Sequence, residues 1–253
     1  MSSFSTTAII LRRIDFGDYD LILTLYTMDR GKVSVIAKSA KKSIKRFSGI
    51  LERFSTLRIV YTTGKRKGLP VLQEASMIKP FEHIRTDIKK TAYASYWTEL
   101  VDEWMEINFK NVQVYYLLEY VLSELDAGTR SLEILSILFQ MRFMTISGLS
   151  PNLNNCCICK TRMEEIKCEK MVFDLRKGRI ACEACAPDSG HIHLSKGTVK
   201  QLQWIGDGDL KRAIRLRFAI RAINESLNFL EIFVPYHIGR ELKSLKFLRQ
   251  IRR

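Results

Sequence analysis

Between residues 156 and 185 lie all six cysteines of the chain, and four of them form two Cys-x-x-Cys pairs, Cys156/Cys159 and Cys182/Cys185. A Cys-x-x-Cys on a tight turn points both sulfurs at one place. Two such turns brought together offer four thiolates at tetrahedral corners, the donor set that Zn²⁺ takes in a closed structural site. The 22 residues between the pairs leave room for a hairpin, with Met171-Val172-Phe173 as one arm, Arg176-Lys177-Gly178 as the turn and Arg179-Ile180-Ala181 as the return. Disulfides would need an oxidising compartment, and a redox dithiol needs one Cys-x-x-Cys in a βαβ setting that this segment lacks. Cys157 and Cys168 fit neither pair and read as small, partly buried residues. His191 and His193 could replace a cysteine ligand, but read as surface or hairpin residues. A closed four-thiolate site has no open position for water, so one structural zinc per chain is expected as a folding device rather than a catalyst.

No catalytic constellation accompanies it. The chain has no Gly-x-x-x-x-Gly-Lys-Ser/Thr phosphate loop, no Gly-x-Ser-x-Gly elbow and no dinucleotide fingerprint after the first strand. Asp15, Asp18 and Asp20 read as turn carboxylates beside Gly17, and His83, His191, His193 and His237 are scattered. The chain is therefore expected not to be an enzyme.

Basic residues point instead to binding. The net charge is +14 over 253 residues, and it is unevenly spread. Residues 1–80 carry 15 Lys/Arg against 6 Asp/Glu, residues 81–150 carry 6 against 10, and residues 151–253 carry 20 against 11. Two basic regions around an acidic one suggest modules with different partners, and nucleic acid is the expected polyanion. Arg12 and Arg13 flank the first strand, Lys38, Lys41, Lys42, Lys45 and Arg46 crowd the connection after the third, and Lys65, Arg66 and Lys67 fall on a hairpin tip. Tyr26, Phe47 and Tyr61 could offer stacking faces or be core. A second basic set, Lys211, Arg212, Arg215, Arg217 and Arg221, falls on a long C-terminal helix.

The elements that must position these groups follow from periodicity. Thr7–Ile14, Leu21–Thr27, Lys32–Lys38, Leu57–Thr62 and Leu69–Met77 read as five short strands, with one longer connection between the third and fourth. That spacing fits a small barrel of the OB type. Three amphipathic helices follow at about Ile84–Ile107, Val112–Asp126 and Ser131–Ser147. After the cysteines, Ser195 reads as the N-cap of a helix through Ile205, with further helices over Ala213–Phe233 and Pro235–Leu248. The expected fold is α+β and multidomain: an OB-fold β-barrel at 1–80, an α-helical domain in two parts at 81–150 and 194–253, and a four-cysteine zinc module inserted at 151–193. Arg12, Arg13, Asp15, Asp18 and Asp20 interrupt any signal-peptide core, and no run approaches about 18 apolar residues, so a cytoplasmic, membrane-free protein is expected.

The order of these parts resembles the bacterial RecO family of DNA repair and recombination mediators, over nearly the whole chain. The marks are TTAIILRRIDFGDYDLILTLYTMDRGKVSVIAKSAKKS at 6–43, FSTLRIVYTTGKRKGLPVLQEA at 54–75, GLSPNLNNCCIC at 148–159 and RELKSLKFL at 240–248. Lys160 stands where relatives often carry Gly, and some relatives lack the cysteines. The resemblance implies a protein that binds single- and double-stranded DNA, anneals complementary strands without nucleotide hydrolysis, and is nucleoid-associated. It also implies partnership with RecR and with the C-terminal tail of single-stranded-DNA-binding protein, and, indirectly, loading of RecA. The basic C-terminal helices are the expected host for that acidic tail. A zinc-containing transcription or translation regulator is the alternative, and a nuclease a more distant one.

Overall fold

The computed structural model describes residues 2–43, 46–64, 68–186, 192–207 and 218–252. The chain divides into two compact units, one of Met1–Thr129 with Leu242–Arg253 and one of Arg130–Glu241.

In the first unit, β1 (Ser2–Phe16), β2 (Asp20–Thr27), β3 (Gly31–Ala37), β4 (Thr56–Thr63) and β5 (Val71–Lys79) close into a barrel in the order β1-β2-β3-β5-β4. All pairings are antiparallel except β3 with β5, which meet in parallel at Ile36 and Val71. Period-two alternation sends Leu21, Leu23 and Leu25 of β2 and Val33, Val35 and Ala37 of β3 into the interior, beside Ile10, Leu57, Ile59 and Leu72. The basic connection between β3 and β4 is less polar than it reads: Phe47 and Leu51 belong to this same core. A bulge between Ile10 and Arg12 kinks β1, so that its last five residues pair with β2 alone.

Among the described residues, four helices complete this unit: α1 (Glu82–Thr86), α2 (Ile88–Trp104), α3 (Val112–Ala127) and, from the end of the chain, a last helix over Lys243–Arg252. The single helix expected over Ile84–Ile107 is in fact two. Asp87 is extended, and its carboxylate accepts the amides of Lys89 (2.8 Å) and Lys90 (3.1 Å), ending one helix and capping the next. The last helix lies against α2, where the Glu99 carboxylate takes the free amide of Ser244 at 2.8 Å. Gly31 sits at φ +68, and a Cβ there would lie 1.9 Å from the Phe109 carbonyl oxygen, so only glycine lets the 105–111 loop seat on the barrel.

Among the described residues, the second unit holds α4 (Leu132–Ile146), the three-stranded sheet β7-β6-β8 and two further helices, α5 (Lys196–Asp207) and α6 (Ile220–Ile238). The sheet is built from β6 (Lys170–Asp174), β7 (Arg179–Cys182) and β8 (Ile192–Ser195). β6 and β7 are the hairpin expected between the cysteine pairs. Asp174 accepts the turn amides of Arg176 and Lys177 at 3.0 and 3.1 Å, and Gly178 supplies φ +63. Phe173 fixes this sheet to α6, its ring 4.6 Å from that of Phe229 and 5.6 Å from that of Phe233. As expected, Ser195 caps α5: its hydroxyl accepts the Thr198 amide at 3.3 Å.

The helix boundary expected before Pro235 is absent. Pro235 lies in the last turn of α6, which runs to Ile238 and ends on Gly239 at φ 76; the final helix then begins at Lys243, not Pro235. Proline in a last turn forfeits one amide bond, and the αL glycine is the stronger stop.

Candidate metal centre and nucleic-acid interface

The sulfurs of Cys156, Cys159, Cys182 and Cys185 all lie within 4.8 Å of one another. Each pair sits on a knuckle turn. In the first, the Cys156 amide donates to the Thr161 carbonyl (2.9 Å) and the Lys160 amide to the Cys156 carbonyl (3.0 Å). In the second, the amides of Cys185 and Ala186 share the Cys182 carbonyl at 2.9 and 3.1 Å. The hairpin carries the second knuckle to the first, because Cys182 ends β7 and the Cys157 amide donates to the carbonyl of Ile180 on the same strand at 2.8 Å.

These residues fit a four-thiolate ion site. Sulfurs 2.3 Å from a tetrahedral zinc lie about 3.8 Å apart, and Cys159 Sγ to Cys182 Sγ measures 3.8 Å. Amides of Ile158 (3.4 Å) and Cys182 (3.3 Å) point at the buried Cys156 sulfur, as they would at a thiolate. The Thr161 hydroxyl and amide bring the Cys159 thiol down to about 6, while burial pushes Cys182 up. Among the described residues this is the one group of His, Cys, Asp or Glu side chains close enough together to hold an ion. Cys157 and Cys168 are partly buried free thiols outside it, His193 lies exposed on β8, and His191 is outside the described residues. Asp15, Asp18 and Asp20 form no such group; Asp15 pairs with Lys41 and Asp20 accepts the Ser39 amide at 2.7 Å.

The basic residues of the barrel partly converge. Arg13, Lys41 and Lys42 line one cavity of about 230 Å³ at a mouth of the barrel, with Ser43, Ser48, Gly49 and Glu52. Lys41 Nζ is 3.0 Å from an Asp15 oxygen and donates to the Gly17 carbonyl, which fixes it on the β1–β2 turn. Lys42 Nζ stands 3.4 Å from the centre of the Tyr19 ring. Arg46 donates to the Lys38 carbonyl at 3.1 Å, so both cations stay on this connection. Arg12 instead lines a second hollow of about 320 Å³, with Arg53, Glu99 and Lys243. Lys45, Lys65, Arg66, Lys67, Lys211, Arg212, Arg215 and Arg217 lie outside the described residues. Arg221 is placed on α6, paired to Glu225 at 2.7 Å.

Tyr26, Phe47 and Tyr61 are buried at 0, 3 and 2% exposure and serve the core; the Tyr26 hydroxyl donates to the Asn111 carbonyl at 3.2 Å. The aromatic rings available near the cations are Phe16 and Tyr19, 51 and 45% exposed on the β1–β2 turn. Their signal in the sequence is a Phe-Gly-Asp-Tyr turn, in which two large rings flank residues that cannot bury them.

Comparison with known proteins agrees along the whole chain. Residues 1–81 match the family model "Recombination protein O N terminal" and residues 85–246 match "Recombination protein O C terminal". The chain is 44% identical to the DNA repair protein RecO of Desulfosudis oleivorans, covering 100% of this chain and 99% of that one. It is 42% identical to the protein of the same name from Desulfatibacillum aliphaticivorans, again over 100% and 99%. With the Bacillus subtilis DNA repair protein RecO the identity is 30%, over 96% of this chain and 92% of the relative.

Proposed function

The chain belongs to the recombination protein O family of DNA repair proteins, and from that premise we propose that it is a non-enzymatic recombination mediator that binds DNA and anneals complementary strands. The observation that carries this reading is the convergence of Arg13, Lys41 and Lys42 on one cavity beside the exposed rings of Phe16 and Tyr19. The strand order supports an OB-fold barrel, a scaffold whose β2–β3 face and adjoining loops take oligonucleotides.

The mechanism is electrostatic. Two phosphate backbones repel, and a basic surface that neutralises several charges on each lowers that barrier. Released counterions supply much of the affinity, so single-strand binding falls by about 0.7 log units per neutralised phosphate per decade of salt. Lys38 and Arg46 extend the cationic rim. Nothing in the scheme consumes a nucleotide.

The four cysteines hold a structural Zn²⁺ that fixes β6–β7, and through Phe173 the face of α6. On the family's account the protein works with RecR, engages the tail of single-stranded-DNA-binding protein and helps RecA load onto covered strands in the cytoplasm. No helix is long and apolar enough to cross a membrane among the described residues.

The test is annealing of two complementary labelled oligonucleotides, each precoated with single-stranded-DNA-binding protein, at two salt concentrations. Fast, salt-sensitive annealing without ATP is expected. Binding without annealing would sink the mediator reading and favour a regulator that merely holds nucleic acid.

A further inference from the structure

The four sulfurs that fit an ion are not equally shielded. Cys156 and Cys182 are buried, Cys185 is partly buried and Cys159 is exposed. Cys182 ends β7, within the sheet, and the Cys156 sulfur faces the amides of Ile158 and Cys182. Cys159 instead closes the outward side of the first knuckle, where its neighbours Ile158 and Lys160 are exposed as well. The Thr161 hydroxyl stands 3.2 Å from its sulfur. A thiolate in a closed site is spared oxidation chiefly by being out of reach, and a reagent arriving from solvent meets Cys159 first.

Directly beside it is a second sulfur. Cys182 Sγ lies 3.8 Å from Cys159 Sγ, on the other knuckle. A disulfide holds its sulfurs about 2.05 Å apart, so a closure of about 1.8 Å joins the two. Cys157 and Cys168, also partly buried, lie outside the group.

We propose that Cys159 is a site of oxidation by hydroperoxides and that Cys182 resolves it, so that the clasp of the β6–β7 hairpin passes from an ion to a disulfide. The proposal rests on the structural-zinc reading above and adds to it a chemistry of the ligand residues. The Cys159 thiolate attacks one peroxide oxygen, the O–O bond breaks, and the other oxygen leaves as hydroxide and takes up a proton. Cys182 then attacks the sulfur of the resulting sulfenic acid, the S–O bond breaks, and a second hydroxide leaves and is protonated. In sum two thiolates lose two electrons, one hydrogen peroxide gains them, two protons are consumed and two waters form. Cys156 and Cys185 alone remain as donors, half the set of a closed site, so oxidation and loss of zinc go together. The new bond ties the first knuckle to the end of β7, where the Cys157 amide already donates to the Ile180 carbonyl at 2.8 Å. It joins the same two parts that the ion joins, and the oxidised chain therefore stays folded.

The test treats the full zinc-loaded chain with hydrogen peroxide beside a chromogenic zinc chelator, then alkylates it, digests it with trypsin and sequences the linked peptides. Trypsin places residues 143–160 and 180–196 in separate peptides, so a bond between the knuckles is distinct from one within either. Zinc is expected to leave with formation of one Cys159–Cys182 bond, without aggregation, and to bind again after dithiothreitol and added zinc. Cys157→Ser/Cys168→Ser should release zinc at the wild-type rate with the same link. Cys159→His keeps a donor for the ion but removes the reactive sulfur, and should slow release about tenfold. Should that variant fail to load zinc, the wild-type peptide map and the double serine variant carry the test. Zinc retained under peroxide, bonds formed only within one knuckle, aggregation of the oxidised chain, or wild-type release from zinc-loaded Cys159→His would overturn the proposal. A chain purified without zinc defeats the structural-zinc reading instead, and its peroxide-treated peptide map still decides whether Cys159 and Cys182 pair.

Discussion

The sulfur of Cys159 lies 3.8 Å from that of Cys182, across a gap of 22 residues in sequence, at the separation expected of two thiolates on one tetrahedral zinc. That closeness is hard to keep without a cation, since four neighbouring sulfurs cannot all ionise together. Metal analysis of the purified chain is expected to give one zinc, with release of four titratable thiols on chelation. Cys156→Ala or Cys182→Ala should give zinc-depleted, aggregation-prone protein, because the two most buried ligands go. A soluble Cys182→Ala protein with full annealing activity would make the metal dispensable.

Lys160 follows the first knuckle with φ 64, a left-handed conformation that costs a side chain about 1 kcal/mol. A glycine here, as the family resemblance implies, would carry no such cost. Lys160→Gly should raise the thermal midpoint of the zinc-loaded protein, offset in small part by loss of the exposed hydrogen bond from Lys160 Nζ to the Cys157 carbonyl. A lower midpoint would mean that this bond outweighs the backbone strain.

What the sequence discloses and what it hides divide along physical lines. The two Cys-x-x-Cys pairs and the β6–β7 hairpin are readable because local turn chemistry, at Asp174 and Gly178, decides them. The five strands are readable because Val33, Val35 and Ala37 alternate with half-buried neighbours. Phe47 and Leu51 are not, because a run of lysines surrounds two residues that the barrel core takes in. Tyr26 reads equally as a stacking face or as core, and only its burial and the bond from its hydroxyl to the Asn111 carbonyl decide for core. The break at Asp87 is not readable, because one polar residue does not interrupt a helical period; its two hydrogen bonds to the Lys89 and Lys90 amides do.

Glu225 joins α6 to the start of α5: its carboxylate accepts the Ser195 amide at 2.8 Å, the Thr198 hydroxyl at 2.6 Å and Arg221 Nε at 2.7 Å. Burial raises its carboxyl, but the bonds from Thr198, Ser195 and Arg221 outweigh that and bring it to about 2. A depressed carboxyl stabilises the fold above its ordinary value of 4.5, and that contribution is lost as pH falls from there toward 2. Urea midpoints should therefore decline over this window more in the wild type than in Glu225→Gln. At pH 7 the variant should be less stable by about 1–3 kcal/mol, the range for a hydrogen-bonded charged group. Parallel pH profiles for the two proteins would remove Glu225 from the account.

Gly31→Ala should be among the most damaging single methyl additions in the chain. It places a Cβ 1.9 Å from the Phe109 oxygen, which is backbone and cannot rotate away, and it forces alanine to φ +68. The 105–111 loop is also tied to β3 by the Asn108 amide, which donates to the Lys32 carbonyl at 2.9 Å, so relief of the clash breaks that bond. A loss of more than about 3 kcal/mol in stability is expected, from strain and weakened packing together. An alanine variant within about 0.5 kcal/mol of wild type would show that the loop does not sit on the barrel in solution.

Charge reversal at Lys38, Lys41, Lys42 and Arg46 asks whether the basic mouth does the binding. These four are exposed, and three of them, Lys41, Lys42 and Arg46, contact carbonyls, Asp15 and the faces of Tyr19 and Phe47. Surface pairs of this kind contribute little to folding, so circular dichroism and the thermal midpoint should stay close to wild type. Annealing should be abolished, and the dependence of single-strand affinity on salt should flatten by about 0.7 log units per decade for each phosphate that is no longer neutralised. A folded quadruple variant that anneals at the wild-type rate would move the DNA-binding surface elsewhere, and the C-terminal basic set around Arg221 would be the next to reverse.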